Sequence, residues 1–288
     1  MVRYLIILSF ILLTACSKEI TINMPIPETK IVVEGSIENG SPPLVMLTYN
    51  QPYFSSIDLQ NLDTLFVKGA DVSIELEGVN YPLTQLSIPV DAQNNIYIYT
   101  SFSLIGEIGK TYSLIVSKEN KILRATTTIP NPVDIDSLYW LPHPKFDEGN
   151  DSLASLHAIF QDPDSMGNYY RYFTKRNSED YKSGYFGSVW DDLVFNGQKF
   201  DVPFERGMNR TEEFDPSTYS YFWKGDTVCL KISSLEKSTF SFWRTLEQDI
   251  GSNGNPFGIP TKVMTNIEGG LGVWCGYGSS VDTIIIQD

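Results

Sequence analysis

Ala70-Asp71-Val72-Ser73-Ile74-Glu75-Leu76-Glu77 decides how the rest of this chain is read. Apolar residues hold every second position, and Asp71, Ser73, Glu75 and Glu77 fall between them. A period of two turns one set toward a core and the other toward water, as in a half-buried strand. The acids on the outer face also discourage one sheet from adding to another.

Outward from this strand the same period recurs. Val45, Leu47 and Tyr49 alternate with Met46 and Thr48, Ile96 to Thr100 and Tyr112 to Val116 repeat it, and Ile31–Ile37 and Ala125–Ile129 read as further strands. Asn39-Gly40, Glu77-Gly78, Asn94-Asn95 and Ile108-Gly109 supply the turns. Several short strands at close spacing, without a helical stripe, predict an immunoglobulin-like β-sandwich over residues 30–130. Pro130, Pro132, Pro142 and Pro144 cannot sit in central strands and mark the domain boundary.

Residues 131–288 are expected to form a second β-rich domain with one substantial helix near 234–250, so the fold class is mainly β. Leu235, Thr239, Phe242, Trp243, Leu246 and Ile250 recur at helical spacing; Ser233 and Glu236 suggest a capping box before them, and Gly251 a stop. Leu156, Ala158 and Phe160, then Tyr169, Arg171 and Phe173, alternate around the Asp162–Asn168 turn and predict a hairpin. Alternation places Tyr170 and Tyr172 on the opposite side from Tyr169, Arg171 and Phe173. Val228, Leu230 and Ile232 form another strand, and Val281 to Gln287 a closing one.

The first fifteen residues carry Arg3 and then an apolar run from Leu5 to Leu13, broken only by Ser9. That run is too short to span a bilayer and has the layout of a signal peptide. Leu13-Thr14-Ala15-Cys16 resembles a bacterial lipobox, so Cys16 is the expected lipidation site and residues 16–29, with Pro25 and Pro27, the expected tether. Cleavage before Cys16 would leave 20 basic against 35 acidic residues. Such a chain lacks the clustered Lys and Arg that neutralise phosphates, so no nucleic-acid partner is expected and the lipid alone would hold it at a membrane. Cys229 and Cys275 then remain, and an oxidising envelope would permit a disulfide between them.

Catalytic signals are sparse. The chain has 2 histidines, His143 and His157, neither with a partner at ligand spacing, and no zinc, nucleophile-elbow or phosphate-loop motif. No catalytic residue, metal or cofactor is therefore expected. A carboxylate pair of the glycosidase kind would be invisible among so many acids. The Asp162–Asn168 segment lacks the glycine and distal glutamate of a calcium loop and reads as a turn. Tyr221 and Trp223, within an aromatic run, read either as core or as a partner surface. Gly269, Gly270, Gly272, Gly276 and Gly278 around Trp274 and Tyr277 read either as a bulged strand packing against the helix, or, with Asn255, Pro256, Phe257, Asn266 and Glu268, as a rigid loop pair presented to a partner.

The lipobox, Ile31-Val32-Val33-Glu34-Gly35-Ser36-Ile37, Pro52-Tyr53-Phe54, Gly69-Ala70-Asp71-Val72 and Gly109-Lys110-Thr111-Tyr112 together resemble one family. So do Asp162-Pro163, Asn168-Tyr169-Tyr170-Arg171, Asn255-Pro256-Phe257 and Asn266-Ile267-Glu268-Gly269-Gly270-Leu271-Gly272-Val273. The family is the group of Bacteroidota envelope lipoproteins known as domain of unknown function 4249. The resemblance implies an outer-membrane lipoprotein that serves a TonB-dependent receptor as an accessory or cargo-binding component, surface-exposed rather than facing the periplasm. It supplies no catalytic residues. Ser17, Lys18 and Glu19 depart from the acidic export signal of surface-displayed relatives. A free-standing carbohydrate- or peptide-binding lipoprotein is the alternative, and a hydrolase a more remote one.

Overall fold

The structure, a computed structural model, describes residues 28–51, 59–91, 94–143, 152–252 and 261–287. Cys16, the leader, most of the tether, Pro52-Tyr53-Phe54 and Asn255-Pro256-Phe257 lie outside them. The first half contains β1 (Ile31–Glu38), β2 (Leu44–Tyr49), β3 (Asp71–Leu76), β4 (Val79–Pro82), β5 (Thr84–Pro89), β6 (Asn95–Thr100), β7 (Thr111–Lys118) and β8 (Lys121–Thr128). A short 3-10 helix, Leu59–Leu65, precedes β3. Next come β9 (Ile135–Pro142), β10 (Leu153–Gln161), β11 (Tyr169–Arg176), β12 (Lys182–Ser183), β13 (Val189–Asp191), β14 (Lys199–Phe204), β15 (Phe222–Trp223) and β16 (Thr227–Leu235). Helix α1 (Lys237–Ser252) and the long β17 (Leu271–Ile285) complete the chain. It is mainly β with one α-helix among the described residues, as its periods predict.

One sheet of nine strands runs β12-β11-β16-β17-β1-β2-β6-β5, with β13 also paired to β11. Two four-stranded sheets, β4-β3-β7-β8 and the group of β9, β10, β14 and β15, pack against it. The first core holds Ile31, Val33 and Ile37 of β1 against Val72 and Ile74 of β3 and Tyr112, Leu114 and Val116 of β7. A second gathers Leu156, Ala158 and Phe160 of β10 with Tyr170 and Tyr172 of β11. The apolar stripe of α1 covers the opposite face of the large sheet, where Phe240 and Phe242 meet Val273, Cys275 and Tyr277.

The joint between the halves is β17. It pairs in parallel with β1, from Val32↔Leu271 to Glu38↔Tyr277, and antiparallel with β16, from Ser234↔Gly278 to Thr227↔Ile285. Trp274 belongs to the first core and Ile284 and Ile286 to the second, so residues 131–288 are not a separate unit behind a linker. Between these points a Cβ on Gly276 would lie 2.3 Å from the Thr128 carbonyl oxygen, and one on Gly278 would lie 2.0 Å from that of Pro130. The link from β8 to β9 crosses β17 there, and only glycine leaves room for it.

Several sequence expectations are corrected. The proline-marked stretch is not all linker: β9 lies within it and ends at Pro142, with a ladder to β10. Proline is tolerated because it closes the strand. β10 and β11 do not form a hairpin, since one joins a small sheet and the other the large one. They meet face to face instead, with the Phe160 and Tyr170 rings 5.9 Å apart, and Asp162 is buried between them accepting from the Tyr170 hydroxyl and from Gly197 N–H at 3.0 Å. Ser233 does not cap α1, because it lies in β16 opposite Ser279 and shares a 2.7 Å hydroxyl contact with it. Glu236 is the cap residue, its carbonyl accepting from Phe240 N–H at 3.0 Å.

The disulfide is also excluded by the fold. Both thiols are free, and Cys229 faces Thr283 across the ladder, eight positions along β17 from Cys275. At about 3.3 Å per residue that is roughly 26 Å, far beyond disulfide reach.

Candidate functional site

Strand alternation puts Val32, Glu34, Ser36 and Glu38 of β1 on the face of the large sheet that carries α1. The same face receives Arg171 and Phe173 from β11, Lys231 from β16 and Cys275 and Tyr277 from β17. The helix covers only part of it. Beyond its edge lies an open hollow of about 490 Å³, bounded on one side by Leu44, Met46, Ile96 and Ile98 of β2 and β6 and on the other by Trp243 and Tyr181. A second recess of about 380 Å³ adjoins it, lined chiefly by Val32, Phe242, Leu246, Val263, Met264 and Leu271, and shares Glu34 and Trp243 with it. Together they make one groove along β1, apolar at one end and mixed at the other.

Cations at the mixed end are already engaged. Arg171 is buried; its Nε donates to Ser188 Oγ at 3.0 Å and its Nη1 to the Tyr277 hydroxyl at 3.1 Å, while its guanidinium lies 3.4 Å from the centre of the Trp243 ring. Lys231 Nζ pairs with Glu38 at 3.0 Å and lies 4.6 Å from the Tyr181 ring centre and 5.0 Å from that of Phe173. Such cation–aromatic stacks fix the side chains as well as their charge.

Glu34 differs from them. Solvent reaches its side chain, yet it stands at the floor of a concavity where surrounding protein displaces bulk water. That desolvation raises its pKa above the ordinary glutamate value, against an opposing pull from Arg171. Nearby, burial pushes the Cys275 thiol up to about 11, which leaves it protonated and inert at neutral pH.

A family model described as domain of unknown function (DUF4249) matches residues 17–282. The chain belongs to this family. No curated protein matches it. The match spans the residues that line the groove and both small sheets of this DUF4249 chain.

The structure separates the residues of this DUF4249 chain that sequence reading grouped as a partner surface. Asn266 is tied to the strand beside it: its Nδ2 donates to the Trp274 carbonyl at 2.8 Å and its Oδ1 accepts from Trp274 N–H at 2.9 Å. Glu268 bridges to Arg124 of β8 through main-chain bonds of 2.8 and 3.1 Å. A Cβ on Gly269 would stand 2.8 Å from the Ile122 carbonyl oxygen and one on Gly270 2.4 Å from Leu123 Cδ2, so this turn packs on β8 beside residues 28–31. Tyr221 and Trp223 lie elsewhere, the first 4.1 Å from the His143 ring, the second between Arg176 and Arg206 at 5.2 and 5.4 Å. Phe222 between them is core.

Two arrangements were not singled out from sequence. One is Glu34, the only ionisable residue in the Ile31–Ile37 run and for that reason a legible signal. The other is a polar line on the outer face of β10. Ser155 Oγ lies 3.1 Å from His157 Nε2, His157 Nδ1 3.5 Å from Asp201, and Asp201 also accepts from the Tyr139 hydroxyl. These are the residue types of a nucleophile, base and acid. Strand ladders to β9 and β14 already use the backbone donors of the neighbouring residues 156–160, however, and an oxyanion would need such donors free. Among the described residues no group of three His, Cys, Asp or Glu side chains is placed to hold a metal. No described helix is long and apolar enough to cross a membrane.

Proposed function

We propose that this protein is a lipid-anchored, non-catalytic component of the bacterial outer membrane, held through Cys16, that acts as an accessory or cargo-binding partner of a TonB-dependent transporter. The groove along β1 is the observation that carries this reading. Concave sites of several hundred Å³ with apolar walls and a few convergent polar groups are the usual form of a ligand site, and both recesses here are of that size. The N-terminal half, with two sheets packed face to face, serves on this reading as an immunoglobulin-like module that presents the groove. β1 begins at Ile31, so the groove starts where the anchoring segment ends.

Affinity purification of the tagged protein from native membranes in mild detergent tests the proposal. Co-recovery of a β-barrel receptor is expected; recovery of the protein alone would overturn the transporter assignment. One observation favours a free-standing carbohydrate-binding lipoprotein instead: Tyr185, Phe186, Phe214 and Tyr219 cluster with ring centres 4.9 to 5.6 Å apart, and Phe186 is 62% exposed. An accessible ring braced edge-to-face by its neighbours can take a sugar face, and glycan binding by the purified protein without any receptor would support that reading.

A further inference from the structure

Every charge that lines the groove has a partner except one. Arg171 is held by Ser188, Tyr277 and Trp243, and Lys231 by Glu38. Among the described residues, none donates a hydrogen bond to the Glu34 carboxylate and no cation lies within ion-pair distance of it; Arg171 acts on it only at longer range. The carboxylate oxygens are open on the groove side, so a donor that arrives from outside can reach them without displacing a protein partner. Glu34 also stands where the apolar recess of Val32, Leu246, Met264 and Leu271 meets the mixed hollow. A ligand that fills the recess with a hydrocarbon group therefore brings whatever is attached to it against this carboxylate.

We propose that the groove binds a primary ammonium group carried beside an apolar chain, the ammonium donating to Glu34 and the chain entering the recess between β1 and α1. This chemistry belongs to the N-terminus of a peptide that begins with a large aliphatic residue, and equally to a free aliphatic amine. An anionic ligand is disfavoured, because Glu34 repels it and both cations would first have to leave their partners. The inference rests on the reading of the groove as a binding site and specifies what it takes.

The test uses the full-length protein and ligand-observed nuclear magnetic resonance titrations with three probes: leucyl-leucine amide, its N-acetyl derivative and 3-methylbutylamine. Saturable binding of the free-amine dipeptide is expected, with affinity reduced at least about tenfold by acetylation and by Glu34→Gln, as for loss of one partner of a desolvated charge pair. The melting temperature of the variant shows that it is folded. A preference for the dipeptide over the amine identifies a peptide source, and the reverse a free amine. Equal binding of the acetylated and free peptides, or undiminished binding to Glu34→Gln, overturns the ammonium assignment while leaving the groove a binding site. Absence of saturable binding of either amine probe up to about 10 mM, an affinity weaker than about 3 kcal/mol, also overturns it. Recovery of a barrel receptor is unaffected by any of these outcomes, so the two proposals fail separately.

Discussion

Glu34 shows how one residue carries both a stability cost and a site. Its folded-state pKa is raised, so the folded chain binds the proton more tightly than the unfolded one. The penalty is absent below the unfolded value of 4.5, grows as pH rises through the folded pKa and then stays constant. Glu34→Gln is accordingly expected to melt higher than the parent at pH 7, with the difference closing by about pH 4. Melting curves across that range check it, and a lower melting point for the variant at pH 7 would show that Arg171 outweighs desolvation. The residue was legible in sequence as an odd charge in a β-branched run. The charges that share its face were not, since Arg171 and Lys231 lie 137 and 197 positions away and only the strand order brings them there.

At the scale of elements, the two-residue period located most strands and the helical stripe located α1, whereas pairing escaped the sequence. β10 and β11 have the alternation and turn of a hairpin, but both are apolar on the sides that face each other, so burial is better served by stacking than by edge pairing. The start of α1 was misplaced for a similar reason: Ser233 has the chemistry of a cap, yet a buried strand position with Ser279 opposite claims it first. Glu236 serves a tertiary role besides ending the strand. Its Oε2 accepts from Thr127 Oγ1 at 2.9 Å and Thr128 N–H at 3.1 Å, fastening the helix entry to β8. Glu236→Ala is expected to destabilise by about 2 kcal/mol, the scale of hydrogen bonds to a charged acceptor. Ellipticity at 222 nm should stay unchanged before the transition, because the capping carbonyl belongs to the main chain. Denaturant unfolding with that helical signal measures both, and a loss of helix would instead restore a local capping role.

For the whole molecule, the glycine-rich segment, which sequence reads as a bulged strand against the helix or as a loop pair, is the strand that unites the fold. Gly272 has φ +98 and would place a Cβ 1.9 Å from the Val33 carbonyl oxygen, so β17 lies as close to β1 as backbone permits. Residues 30–130, which sequence periodicity marks as a self-sufficient sandwich, lack Trp274 and leave one edge of β1 unpaired when expressed alone. That fragment is expected to be unfolded or aggregated, while the complete chain unfolds in one cooperative transition. A folded, monomeric fragment with dispersed amide resonances would show that β17 is dispensable to the first core. The closing partner could not be read from sequence because parallel pairing of first and last strands leaves no turn between them.

The same pairing has a mechanical meaning. The main-chain N–H of Lys30 donates to Asn50 Oδ1 at 2.7 Å, Asn50 Nδ2 to the Glu28 carbonyl at 3.2 Å, and Lys121 Nζ to the Thr29 carbonyl at 2.9 Å, so the residues just before β1 are clamped to the body. A pull from the N-terminal side passes this clamp and runs along the axis of β1. That strand is held by seven register pairs to β17 and six to β2. Force directed along the strand meets cross-strand bonds that lie across it, and all of them bear the load together in shear instead of opening one after another. A pull through the leading segment against the far end of β17 is thus expected to meet resistance in shear rather than peeling.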